Sequence, residues 1–218
     1  MGATWTELSP EQIAARLARA GNGGAVNSGA VHSGGAPGLI YEFPPEFLPG
    51  PLRPAAVLIP LLRVDGRWEA LFTRRNPDLH EHSGQVAFPG GRADPGDASP
   101  EATALREAEE EIGLRPQDVR LLGRLKPFAT ITAYAVTPVV GMIPWPYPLR
   151  TSAVEVSRVF TIPLDWLSDP ANLEKRARPL PDPHDPVDVY YFKPYDGEVL
   201  WGASARFTLA LLQALGGE

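Results

Sequence analysis

Residues Phe88 to Leu114 read FPGGRADPGDASPEATALREAEEEIGL, and this stretch decides the fold. Ser99 and Pro100 open a helix, the serine as N-cap and the proline in the first turn, and Gly113 stands just past its end. Taking Glu107 as zero and about 100° per residue, Glu110 falls near about −60° and Glu111 near about +40°. Three carboxylates therefore share one face, predicted to be exposed. Leu105, Ala108 and Ile112 gather on another side, where an apolar stripe can dock on a sheet. Glu109 lies off the acidic face and reads as solvent-facing charge. Three carboxylates so close repel one another, and a divalent cation relieves that repulsion. All-oxygen ligation suits Mg²⁺, Mn²⁺ or Ca²⁺, and Mg²⁺ characteristically completes its shell with water and substrate phosphate.

The rest of the composition sets the limits. The chain has 218 residues, enough for one ordinary domain with extensions. With 44% apolar and 21% charged residues it has the means to form a packed core. Twenty-six acids against twenty bases give a formal charge of −6. That balance argues against a general electrostatic grip on nucleic acid or an anionic membrane. Between Asp94 and Glu111 there are seven acids and one base, Arg106, so this segment accounts for the whole net charge. Cysteine is absent, which excludes disulfides, thiolate metal sites and cysteine nucleophiles. No apolar run reaches the roughly 18 residues of a membrane span, and the N-terminus lacks the basic-then-apolar pattern of a signal peptide. The expected location is cytoplasmic.

Outward from the central stretch, Ala55–Leu62 and Trp68–Thr73 have strand composition and are joined at Asp65-Gly66, a hairpin turn. Val119–Lys126, Ala133–Val140, Val154–Thr161 and Val187–Lys193 also read as strands, and Ala203–Leu215 as a closing helix. Strands with a few interspersed helices and no regular alternation favour an α/β sandwich with a mixed sheet over a doubly wound one. Five prolines between residues 44 and 54 predict an extended surface run with no regular element before Ala55. At the N-terminus, Ser9-Pro10-Glu11-Gln12 forms a capping box ahead of Ile13, Ala14, Leu17 and Ala18. The expected organisation is an amphipathic helix in residues 1–20, too short and isolated to bind DNA, then a Gly-rich flexible linker over 21–40 and a catalytic domain over 41–218.

Arg106-Glu107-Ala108-Glu109-Glu110-Glu111-Ile112-Gly113-Leu114 resembles the second half of the Nudix hydrolase signature at every defined position. In words that signature is Gly, five residues, Glu, seven residues, Arg-Glu, a hydrophobe, any residue, Glu-Glu, any residue, Gly, a hydrophobe. Gly91 begins the first half, but Asp97 stands where the signature has Glu, and eight residues rather than seven separate it from Arg106. Upstream, Leu71-Phe72-Thr73-Arg74-Arg75, Leu79, His82, Gly84-Gln85-Val86-Ala87 and Phe88-Pro89-Gly90-Gly91 are similar to the extra motif of the coenzyme A pyrophosphatase branch. His80 departs from it, an Arg being common there. Glu155-Val156, Phe160, Pro163-Leu164 and Trp201-Gly202-Ala203-Ser204-Ala205-Arg206 extend the likeness to about residues 50–215.

The resemblance implies an α/β/α sandwich with a loop-helix-loop catalytic motif and a Mg²⁺ or Mn²⁺ cofactor. It assigns Glu107, Glu110 and Glu111 as metal ligands, with a carbonyl at Gly91 completing the shell. Arg106 is expected to pair with Asp97 and hold the loop. Glu107 and Glu155 are rival general bases, and Arg75, His82, Gln85 and Gly90 are candidates for substrate contacts. The implied reaction cuts the diphosphate of coenzyme A or acyl-coenzyme A into 4′-phosphopantetheine, or its acyl form, and adenosine 3′,5′-bisphosphate. The alternatives are another nucleoside diphosphate derivative, such as ADP-ribose, a dinucleotide or a nucleoside triphosphate, and a non-catalytic nucleotide-binding module. Retention of all three signature acids speaks against the last. The implied partner is a small nucleotide, with no nucleic acid and no membrane, and the sequence admits a homodimer.

Overall fold

Strand β2, Arg53–Val64, is apolar on both faces, as a strand covered on both sides must be. Its side chains divide with period two. Ala56, Leu58 and Leu62 join one buried cluster with Ala104, Ala108 and Ile112. Ala55, Ile59 and Leu61 join the other, with Ile13, Leu17, Phe207, Leu211 and Leu215. Helix α2, Pro100–Ile112, therefore covers one face of the sheet, while α1, Pro10–Gly23, and α4, Gly202–Gly216, cover the opposite face. This is the expected α/β/α sandwich. The computed structural model describes residues 7–23, 38–41, 43–78, 84–182 and 184–216.

Among the described residues, nine strands make one mixed sheet. β2 runs antiparallel to β3, Arg67–Arg75, through the predicted turn, where Asp65 and Gly66 both adopt positive φ, 48° and 80°. On its other side β2 runs parallel to β8, Tyr134–Met142. Strands β1, Ile40–Tyr41, β4, Val86–Ala87, β5, Gly90–Arg92, β6, Arg120–Arg124, β7, Phe128–Ala129, and β9, Val156–Pro163, complete the sheet. A short helix α3, Leu164–Ser168, leads to a separate antiparallel ribbon of β10, Leu173–Arg178, and β11, Val187–Phe192. No helix among the described residues is long and apolar enough to cross a membrane.

Three expectations change. β2 starts at Arg53, before Ala55, and a 3₁₀ turn forms at Pro45–Phe47. A proline at the second position of a strand forfeits one donor, while the Pro54 carbonyl still accepts from Ala93 N–H at 3.0 Å. β10 was not foreseen, because LEKRAR has no apolar alternation; it forms by pairing with β11. The N-terminal helix is not isolated. Its capping box closes in both directions, Ser9 N–H to Gln12 Oε1 at 2.8 Å and Gln12 N–H to Ser9 Oγ at 3.2 Å. Ile13 and Leu17 are fully buried, Arg16 bonds the Leu215 carbonyl, and Trp68 Nε1 donates to the Leu8 carbonyl at 2.9 Å. Residues 24–37, most of the expected linker, lie outside the described residues.

Candidate active site

β5 brings the glycine pair against the middle of the sheet, Gly90 opposite Val57 and Gly91 opposite Ala56. The pair forms a short strand, although nothing in GGR suggests one. Close approach explains both glycines. A Cβ on Gly90 would stand 2.6 Å from Val57 Cα, and one on Gly91 would stand 2.5 Å from Glu107 Oε2. The absent side chain at Gly91 is thus the seat of the Glu107 carboxylate.

Helix α2 starts and stops where its chemistry dictates. Ser99 Oγ accepts from Ala102 N–H at 3.3 Å, and Gly113 closes the helix in the left-handed conformation at φ 68°. From the second turn Arg106 reaches in two directions. Its guanidinium bonds Asp97 at 3.0 and 3.2 Å and the Arg92 carbonyl at 2.9 Å, and on the helix side Glu107 at 2.8 Å and Glu110 at 3.3 Å. Asp97 also accepts from Thr103 Oγ1 and from the Asp94 N–H, both at 2.9 Å. These donors, Arg106 first, hold the Asp97 carboxyl well below the usual carboxylate range. Asp97 therefore anchors the loop in spite of its changed type and spacing. Thr103, 1% exposed, is a supporting residue the sequence reading missed; its position one helical turn after the Ser99 cap was the available signal.

Glu111 corrects the expectation of an exposed acidic face. It is only 5% exposed, since Arg150 N–H and Ser152 N–H bond the Ile112 and Glu111 carbonyls and the 150–156 segment covers this turn. Burial pushes its carboxyl up to about 8, and the negative charges of Glu107 and Glu155 act in the same direction against Arg75 and the Gly90 N–H. Glu107 is raised as well, mainly by burial, with Arg106 opposing. Arg75 approaches Glu111 at 3.6 Å, and the second oxygen, Oε2, is buried without a hydrogen-bond partner among the described residues.

Glu107, Glu111, Glu155, Gly90, Gly91, Arg75 and Arg106 thus form one neighbourhood. Gln85 joins it through its carbonyl, which accepts from Arg75 N–H at 3.0 Å. Glu110 stands at the rim with 57% of its side chain exposed. His82 lies outside the described residues. Among the described residues no three acids or histidines converge closely enough to hold a cation as they stand. The chemistry of the site nevertheless fits one. Its donors are hard oxygens, and Glu111 Oε2 is buried with no hydrogen-bond partner among the described residues, which leaves an acceptor for a cation.

The NUDIX domain model matches residues 51–181, more than half of the chain. A protein named as an uncharacterized Nudix hydrolase NudL from Photorhabdus laumondii is 40% identical over 173 residues, spanning 78% of this chain and 89% of that protein. A protein of the same name from Escherichia coli K12 is 41% identical over 172 residues, spanning 75% and 83%. Among solved structures, a MutT/nudix family protein from Enterococcus faecalis superposes with TM-score 0.48 at 17% identity, covering 77% of this chain and 68% of that one. Given the domain match and these relatives, the chain belongs to the Nudix family and is a pyrophosphohydrolase of nucleoside diphosphate derivatives.

Proposed function

We propose that the substrate is coenzyme A or an acyl-coenzyme A, cut at its diphosphate into 4′-phosphopantetheine, or the acyl form, and adenosine 3′,5′-bisphosphate. One observation carries this reading. The run from Leu71 to Gly91, where the likeness to the coenzyme A pyrophosphatase branch lies, delivers Arg75 into the acid cluster itself, 3.6 Å from Glu111. A segment specific to that branch therefore meets the general hydrolytic helix at one point. The enzyme is read as cytoplasmic, acting on a small nucleotide with neither nucleic acid nor membrane as partner.

Hydrolases of this family generally use divalent metals such as Mg²⁺ or Mn²⁺. In our reading Glu107, Glu110 and Glu111 hold the ion, with the Gly91 carbonyl. Bound there, the ion supplies charge neutralisation for the diphosphate and lowers the pKa of a water. Arg106 is a positioning residue, keeping the Asp97 loop and Glu107 in register. Arg75, Gln85, the Gly90 backbone and His82 bind the phosphates and the adenosine side. Glu155 takes the proton of the attacking water. Its rival, Glu107, already has Oε1 committed to Arg106 at 2.8 Å, while Glu155 shows no side-chain partner among the described residues. The water attacks one phosphorus in line, the other phosphate leaves, and no covalent enzyme intermediate is needed.

The test is to incubate the purified protein and Mg²⁺ or Mn²⁺ with coenzyme A, ADP-ribose, NADH and nucleoside triphosphates and to separate the products. Adenosine 3′,5′-bisphosphate from coenzyme A is the expected result. Rapid turnover of ADP-ribose with coenzyme A untouched would overturn the substrate assignment.

A further inference from the structure

We infer that Arg75 is the resident counter-ion of Glu111, that the divalent cation must displace it, and that Arg75 therefore sets the metal affinity and is released toward the substrate once metal binds. This inference rests on the reading of Glu111 as a metal ligand.

The geometry is that of a placeholder. Arg75 Nη1 lies 3.6 Å from Glu111 Oε1, an ion-pair distance too long for a hydrogen bond. Both partners remain unsatisfied, since Arg75 Nε and Glu111 Oε2 are buried without hydrogen-bond partners among the described residues. A buried pair stabilises well only when its remaining donors and acceptors are met. This one is held by proximity, with one carboxylate oxygen left over for a stronger cation.

The backbone shows why Arg75 points there. Along β3 alternate side chains face opposite sides of the sheet. Leu71 joins the cluster under α2, and Phe72 the cluster under α4. Arg74 binds Glu198 at 3.4 Å, a residue it shares with Arg158. Between Arg74 and Arg75 the pairing with β9 slips, from Arg74 opposite Arg158 to Arg75 opposite Val156. The extra residue, Ser157, donates its hydroxyl to the carbonyls of Arg74 and Arg75 at 3.1 and 3.4 Å. The extra residue lies on β9, so Arg75 keeps the β3 alternation and falls on the Leu71 side, the face under α2. The neighbouring cation cannot substitute, because Arg106 is bound to Asp97, Glu107, Glu110 and the Arg92 carbonyl. Among the described residues Arg75 is thus the cation that faces Glu111 and must yield to a metal, and its freed charge is then beside the diphosphate.

The test reads metal binding without turnover. Free Mn²⁺ is followed by electron paramagnetic resonance during titration of the substrate-free protein. Arg75→Gln should tighten Mn²⁺ binding about tenfold, because it removes a competing like charge within a few ångströms of the ion. In a Glu111→Gln background the same change should have an effect well below that. Unchanged or weaker binding by Arg75→Gln, with Glu111→Gln weaker than the unaltered protein, would overturn the displacement while leaving the metal reading standing. Glu111→Gln binding as tightly as the unaltered protein would overturn both. A measurement on the unaltered protein guards against a variant that misfolds: the Arg75 Nε–H resonance should move as Mg²⁺ saturates, and a resonance that stays in place argues against the displacement.

Discussion

Arg106 and Glu111 occupy the same helix, yet one was legible in the sequence and the other was not. Arg106 meets Asp97 because both belong to one short segment whose reach is set by local geometry. Glu111 sits at the edge of the acidic face beside Ile112, and its burial comes from the distant 150–156 segment. Burial gives it a pH signature. Its folded-state pKa of about 8 lies above the 4.5 of an ordinary glutamate, so its contribution to stability is fully present below about pH 4.5 and is lost as pH rises through 8. In chelator, therefore, the unfolding midpoint should fall between pH 5 and pH 8.5 by more in the unaltered protein than in Glu111→Gln. Mg²⁺ at the higher pH should recover much of that loss, since the cation compensates the carboxylate charge that appears once the proton has left. Equal pH dependence in the two proteins would show that Glu111 does not titrate in this range. The two candidate bases separate by kinetics. Glu155→Gln should lower kcat by about 100-fold or more and change Mn²⁺ affinity only a few-fold. Glu107→Gln should weaken Mn²⁺ binding itself. The reverse pattern would make Glu107 the base.

At the scale of elements, α2 and β5 form a unit. The helix was readable because its signals are local: a serine cap, a proline in the first turn and a glycine stop. β5 was not, since nothing in GGR suggests a strand, and its pairing is supplied by β2. The contact between them explains Gly91. Its φ does not fall in the left-handed region, so alanine has no backbone penalty there, and the three atoms nearest the added Cβ all belong to the Glu107 carboxylate. Gly91→Ala should accordingly displace Glu107 and lower kcat/KM by about 100-fold, the scale expected for roughly 1 Å of misplacement. Its unfolding midpoint should change little. A large loss of stability with normal specific activity in the folded fraction would show the glycine to be needed for the strand alone.

At the scale of the whole molecule, the N-terminal helix belongs to the same core as the closing helix. Leu17 is 1% exposed, and Leu17 Cβ stands 3.1 Å from where a Cβ on Gly123 would be. Leu17→Ala should therefore destabilise the protein by about 2–5 kcal/mol in urea unfolding. A loss below about 0.5 kcal/mol, the level of an ordinary surface substitution, would mean that the helix is not docked in solution. The amino-acid sequence alone determined what short-range chemistry can specify: the caps and acidic face of α2, the Asp65-Gly66 hairpin, the capping box of α1 and the strand composition of Ala55–Leu62. Only the tertiary structure decided which acid is buried, which arginine answers it, where β5 and β10 pair, and that α1 docks. Those outcomes depend on surfaces distant in sequence that exclude water from one another, and no local spacing encodes which surface will arrive.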